Sequence, residues 1–343
     1  MNIDYQKICL NLLEKLPTRV RNVVERRFGL NSETGKGEKE TLENIGKSYG
    51  ITRERVRQIE ENGISIIKNS ETLKVAFPAF DYFKEYLKKE SGLKKEEVFL
   101  SDIGKGKFNS HVFFLLNLAD GLFFRQGETT EIYPFWTTDK KIVSFVQETI
   151  SQIMKFFYKK LRPVPKAEFL NEIKAEKDSR FISNTIEISK RIKENIFGEI
   201  GLVDWPEINP RGVKDKAYIV FKKEGRPLHF QEITEKINQL KFNLPKERPV
   251  LVQTVHNELI KDERFVLVGR GIYALSEWGY QPGQVRDIIL KVLKETKKPL
   301  TKEEILKKVL SQRLVKENTV LLNLSNKNYF TRNSQGKYWI REA

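Results

Sequence analysis

Apolar residues recur at helical spacing along most of the chain, broken by short stretches that alternate. The clearest run lies in 214–280, where Ala217, Val220 and Phe221 mark one helix face before the break at Glu224-Gly225-Arg226-Pro227. Phe230, Ile233, Ile237 and Leu240 then recur every three or four residues, which predicts a second amphipathic helix. A third follows Pro249, with Val252, Val255, Leu259 and Ile260 apolar. Phe265 to Val268, the turn Gly269-Arg270-Gly271 and Ile272 to Leu275 predict strand, turn and strand. The segment is therefore expected to be three helices closed by a hairpin.

The same order returns in 281–343. Val285, Ile288, Ile289 and Val292 predict a helix that Pro299 and Leu300 end, and Thr301 with Glu304 forms a capping-box pattern for the next. A third helix is expected near 316–325, and Tyr329-Phe330, Asn333 to Gly336 and Tyr338 to Ile340 predict a wing. Trp136, Trp205, Trp278 and Trp339 stand 69, 73 and 61 residues apart. Singly, each fits a wing residue packed on its own helices; together their spacing points to an internal repeat. Two weaker copies are expected at 75–137 (Phe80, Phe83, Leu87, Val98, Leu100, Phe113 to Leu118, Leu122 to Phe124) and at 143–210, the weakest, where the wing is hard to see.

Residues 1–70 carry a different pattern. Thr41 caps a short predicted helix on which Leu42, Ile45 and Tyr49 share a face, and Gly50 ends it as a left-handed residue. Gly46 costs about 1 kcal/mol against Ala in a free helix, so a close crossing by a second helix is expected there. Thr52 caps the next helix, with Val56, Ile59 and Gly63 inward and Arg53, Glu54, Arg57, Gln58 and Glu61 outward. The fold class is mainly α: an N-terminal helix-turn-helix followed by tandem winged-helix domains with small β-hairpin wings. The expected divisions are 1–70, 75–137, 143–210, 214–280 and 281–343.

An outward face of this kind suits a recognition helix in the major groove. Arginine at 53 can donate two bonds to guanine, Glu54 can accept from cytosine and Gln58 can pair with adenine. Arg55 and Arg57, with the cap residues Thr41 and Thr52, are assigned to the phosphate backbone. The same spacing also fits ordinary i,i+4 surface neighbours, Arg53 with Arg57 and Glu54 with Gln58, on a solvent-facing helix. The preceding cap, glycine, turn and cap favour base reading.

Charge extends this picture. Of a net +16, residues 281–343 hold +8, while 1–70, 71–213 and 214–280 hold +3, +2 and +3. A surplus of that size favours polyanionic partners, nucleic acid first, and its concentration makes a functional basic patch most plausible in the last copy. One cysteine, Cys9, excludes an internal disulfide and a four-thiolate zinc site. His111, His229 and His256 lie far apart, so neither metal nor cofactor is expected. No apolar run approaches the roughly 18–20 residues that cross a bilayer, and no signal peptide is seen. A cytoplasmic, nucleoid-associated location without a membrane partner is expected.

Leu16 to Leu30, Thr41 to Gly46 and Ile51 to Glu60 together resemble region 4 of the housekeeping-type bacterial sigma factors. The resemblance implies binding of promoter DNA through Arg53, Glu54 and Gln58. It also implies contact between the first helices (Arg19, Arg21, Arg26, Arg27 and Phe28) and the β flap of the RNA polymerase core. In those factors region 4 follows the promoter-opening regions, whereas here it begins the chain. Nothing downstream resembles the aromatic-rich melting helix, so a complete initiating factor is not expected. Arg226 to Ile233, Val255 to Leu259, Arg264 to Val266 and Gly271 to Leu275 resemble the HARE winged helix of the polymerase delta subunit and of some chromatin and restriction proteins. The acidic tail of delta subunits is replaced by a basic C-terminal segment.

Enzyme readings fail on spacing. Gly104-Lys-Gly-Lys107 is not a phosphate loop, and Glu172-Ile-Lys174 lacks the upstream Pro-Asp of a restriction nuclease. Three function classes remain: a transcription factor acting with RNA polymerase at promoters, a delta-like accessory subunit docked on polymerase without reading sequence, and an architectural protein held to the chromosome by its basic C-terminal copy.

Overall fold

A computed structural model describes residues 3–30, 37–173, 178–240, 242 and 248–341. The chain divides into two compact units, residues 1–194 with 199–203, and residues 195–198 with 204–343.

The first unit opens with α1 (Tyr5–Leu13), α2 (Thr18–Phe28), α3 (Leu42–Tyr49) and α4 (Arg53–Lys68). Asp4 caps α1 by accepting from the Lys7 amide at 3.0 Å, and Gly29, at φ 68°, closes α2. A 3₁₀ turn at Glu71–Ala76 leads into α5 (Phe77–Lys89), β1 (Leu93–Lys95), α6 (Glu96–Gly104), α7 (Asn109–Leu118), β2 (Phe124–Gln126) and β3 (Phe135–Thr137). The order then repeats in α8 (Lys141–Lys160), β4 (Val164–Pro165), α9 (Lys166–Ile173), α10 (Ser179–Ile188), β5 (Ile192–Glu194) and β6 (Glu199–Leu202).

The second unit contains the repeat twice more. Its first copy is α11 (Val213–Glu224), β7 (Leu228–His229), α12 (Phe230–Gln239), α13 (Val252–Lys261), β8 (Phe265–Gly269) and β9 (Ile272–Leu275). Its second is α14 (Val285–Thr296), α15 (Lys302–Leu310), α16 (Glu317–Leu324), β10 (Phe330–Arg332) and β11 (Tyr338–Ile340). The sheets run β1-β3-β2, β4-β6-β5 and β7-β9-β8, all antiparallel with the last strand in the middle. In the last copy a single bridge between Leu300 and Tyr338 stands where the first strand would be.

In the first three copies a short third strand thus extends the hairpin wing, and the last wing is a hairpin. The extra strand escapes a reading by periodicity because it is two or three residues long. The 143–210 stretch does have a wing, β5 and β6, paired Ile192 to Leu202. Each tryptophan lies in or just after a final strand: Trp136 in β3, Trp205 past β6, Trp278 past β9 and Trp339 in β11. Trp278 packs edge-on to Phe221 with ring centroids 6.0 Å apart. Ile260, one of the apolar residues of the third helix of 214–280, is 63% exposed.

One apolar core runs from α1 through α2 into α5–α7, taking in Tyr5, Leu12, Leu13, Phe28, Phe83, Phe99 and Phe114. Phe28 meets Phe114 at 5.1 Å, tilted 67°. Helix α7 is covered nearly all round, with His111, Val112, Phe114, Leu115, Leu116 and Leu118 buried. Helix α10 is likewise enclosed: the Asn184 amide donates to the Glu90 carbonyl at 2.7 Å, and Lys94 binds the Glu187 carboxylate at 3.0 Å. The third helices of the first two winged helices are therefore packing elements.

Candidate nucleic-acid interface

Helices α3 and α4 are set by local chemistry. The Thr41 hydroxyl accepts from the Asn44 amide at 3.2 Å, and the Thr52 hydroxyl accepts from the Arg55 amide at 3.2 Å. Gly50, at φ 63°, makes the turn between them. A Cβ on Gly46 would lie 2.7 Å from the Ile51 carbonyl oxygen, so this glycine answers the turn itself rather than a crossing helix. The helix crossing falls at Gly63, where a Cβ would lie 2.8 Å from Val20 and 2.9 Å from Val24. Val23, Ile45 and Val56 form the small core beneath, flanked by Leu42, Tyr49, Ile51 and Ile59.

That core leaves Arg53, Glu54, Arg55, Arg57 and Gln58 exposed along one side of α4. The Arg57 guanidinium holds Glu54 at 2.6 Å and also pairs with Glu61. This hydrogen bond keeps the Glu54 carboxyl below the usual carboxylate range and raises Arg57 further. Arg55 donates to the Gln58 side-chain oxygen at 3.1 Å. Among the described residues Arg53 has neither a hydrogen bond nor an ion pair. A shallow open groove lined by Glu43, Lys47, Gly50, Thr52, Arg53 and Arg55 lies beside the turn. The face therefore offers one uncommitted guanidinium, one oriented carboxylate and one amide.

The residues assigned to polymerase divide. Arg19 is exposed, its guanidinium 5.2 Å from the Tyr49 ring centre, and Arg21 pairs with Glu25 at 2.7 Å. Arg26 grips Glu40 through two bonds of 2.8 and 2.7 Å and reaches the Ser48 hydroxyl at 2.8 Å. Arg27 binds Glu60 at 3.2 Å and the Glu40 carbonyl at 3.0 Å. These two arginines anchor the segment before α3 to α2. Burial raises the Glu60 carboxyl, and the Arg27 charge opposes that shift. For Phe28 the expectation is corrected: 7% exposed and packed on Phe113 and Phe114, it has no surface left for a partner.

Two contributors were missed. Asn22 accepts from the Tyr49 hydroxyl at 2.7 Å and locks α3 onto α2. Helix α1 packs on the 3₁₀ turn and on α7 in the core that α2 also joins, and the amphipathic run Tyr5, Ile8, Cys9, Leu12, Leu13 was the signal for it. Glu172, from the rejected nuclease pattern, pairs with Lys160 at 2.8 Å, and Lys174 lies outside the described residues.

The exposed polar side of a capped second helix, set by a glycine turn, is the geometry of a groove-reading helix-turn-helix. Residues 12–69 match the family model of sigma-70 region 4. Residues 211–278 match a second one, HARE-HTH, a helix-turn-helix domain named in part for restriction endonucleases. Among curated relatives, the RNA polymerase sigma factor RpoS of Coxiella burnetii is 43% identical over 68 residues, which is 20% of this chain and 18% of that protein. The chain thus spans less than a fifth of that relative's length. The region 4 match coincides with α2–α4, and the second match coincides with α11–β9. Among the described residues no helix is long and apolar enough to cross a membrane.

Proposed function

We propose that this chain is a DNA-binding transcription factor that works with bacterial RNA polymerase at promoters, using α4 to read duplex bases. The exposed row Arg53, Glu54 and Gln58 on a helix inside the region 4 match carries the reading. In it Arg53 donates to guanine, Glu54 accepts from cytosine and Gln58 pairs with adenine, while Arg55, Arg57, Thr41 and Thr52 face phosphates. Arg57 has a second task, because its hydrogen bonds orient Glu54. The β-flap contact falls to α2, through the exposed Arg19 and the half-buried Arg21. Promoter melting is no part of the proposal, since the residues after α4 fold into winged helices. The divisions 1–70, 75–137, 143–210, 214–280 and 281–343, and a cytoplasmic, nucleoid-associated location, belong to the same proposal. Footprinting with purified polymerase tests it: protection upstream of transcription start sites that disappears with Arg53→Ala/Gln58→Ala is expected. Protection unchanged by that double substitution overturns it.

A second reading, an accessory subunit docked on polymerase without reading sequence, is favoured by one observation. Helix α13 and its cap leave Leu251 70%, Val252 40% and Ile260 63% exposed, an apolar surface of the kind that marks protein partners. Co-purification with polymerase that survives Arg53→Ala/Glu54→Ala, without promoter-specific binding, supports it over the first.

A further inference from the structure

The four winged helices differ in what their third helix can reach. Helices α7 and α10 are enclosed by their own unit, and α13 carries a single lysine and a single glutamate beside its exposed apolar residues. Helix α16 is open: Glu317, Asn318, Thr319 and Leu322 are exposed, and only Val320 and Leu324 are buried.

Cations gather around that open helix. Lys316 stands at its N-cap and Lys327 just past its end, and Arg332 and Lys337 flank the wing turn. The Arg341 guanidinium donates to the Lys327 carbonyl at 2.8 Å, and Arg286 lies 4.6 Å over the Tyr329 ring. Helix end and wing base are thus joined in one basic surface. Among the described residues none of Lys316, Lys327, Arg332, Lys337 or Arg341 is within ion-pair distance of a carboxylate. The segment's acids are mostly spent elsewhere: Asp287 and Glu304 complete capping boxes, and Glu295 faces Lys291. In the first unit, by contrast, Lys94, Arg125, Lys166 and Lys190 each bind a glutamate.

Unpaired cations at both ends of an exposed helix and on its wing can neutralise phosphates along a duplex, which releases counterions. The major groove admits an α-helix of this size. We propose that the C-terminal winged helix, 281–341, is a second duplex-DNA-binding module that grips the backbone without regard to sequence. This does not depend on α4: a chain could hold DNA at its C-terminal end whether or not its N-terminal helix reads bases.

The test uses the full chain and a random-sequence DNA duplex, with affinity followed against salt. In Lys316→Ala/Lys327→Ala/Arg332→Ala, binding is expected to weaken roughly tenfold or more at moderate salt, and the slope of log K against log salt to flatten by about 2–3. All three side chains are exposed, and an unchanged melting curve shows that the fold is kept. A control, Lys84→Ala/Lys88→Ala/Lys89→Ala on α5, removes equal charge and should leave both quantities unchanged. Equal losses in both variants reduce the effect to net charge and overturn the site, as does unaltered binding in the first. Tighter binding of single-stranded RNA of the same length, lost in the same variant, also overturns the duplex assignment. Repeating the comparison in an Arg53→Ala background separates the two claims: there promoter preference reports on α4, and sequence-neutral affinity reports on α16.

Discussion

Three residues show how the setting of a residue decides its effect. Gly46→Ala in an ordinary helix would stabilise by about 1 kcal/mol. Here the added Cβ meets the Ile51 carbonyl at 2.7 Å, so a loss of about 1–3 kcal/mol is expected in chemical denaturation. A gain would show that the turn yields. Phe28→Ala opens a cavity against Phe113 and Phe114 and should cost about 3–5 kcal/mol, while leaving the polymerase affinity of the folded fraction intact. His111 is buried edge-on to Phe108, and burial lowers its pKa below the ordinary 6.5, with Asp4 opposing. The folded state therefore prefers the neutral ring. Stability from this group is complete above pH 6.5 and falls as the pH drops below it, at up to about 1.4 kcal/mol per pH unit. Denaturation midpoints compared between pH 7.5 and 5.5 should show the decline in the native chain, and His111→Leu should flatten it.

At the level of helices and strands, much was legible because capping and apolar spacing are local. Thr41, Gly50 and Thr52 announced α3 and α4, and Thr301 with Glu304 announced α15. The short first strands were hidden, since Val164 and Pro165 form a strand only because β6 lies alongside. The fate of α2 was hidden for the same reason: Phe28 has the spacing of either a core or an interface residue, and only the arrival of α7 decides between them. Of the recognition face, the outward residues could be placed by period alone, but the grip of Arg57 on Glu54 and Glu61 needed side-chain geometry. The consequence is testable on the element. Arg57→Ala releases Glu54, so it should both weaken binding to all duplexes, flattening the salt slope by about 1, and blunt discrimination at the base the proposal assigns to Glu54. Glu61→Ala should do neither, because Arg57 keeps Glu54.

Across the molecule, one topology occurs four times and is used in different ways. In the first two copies the third helix is buried among its neighbours, in the third it shows apolar side chains, and in the last it is exposed with cations beyond both its ends. The net charge of +16 is accordingly uneven in effect as well as in position, because glutamates neutralise many cations of the first unit. In the proposed function base reading is left to α4, where among the described residues Arg53 alone on the exposed row has neither a hydrogen bond nor an ion pair. The most direct measurement is therefore the ratio of affinities for a footprinted promoter duplex and its shuffled counterpart, in the native chain and in Arg53→Ala, at one salt concentration. The expected result is a ratio that falls by roughly 5- to 150-fold, the 1–3 kcal/mol of a lost bidentate pair, with affinity for the shuffled duplex little changed. A ratio that stays the same in Arg53→Ala would contradict the assignment of α4 as the helix that reads bases.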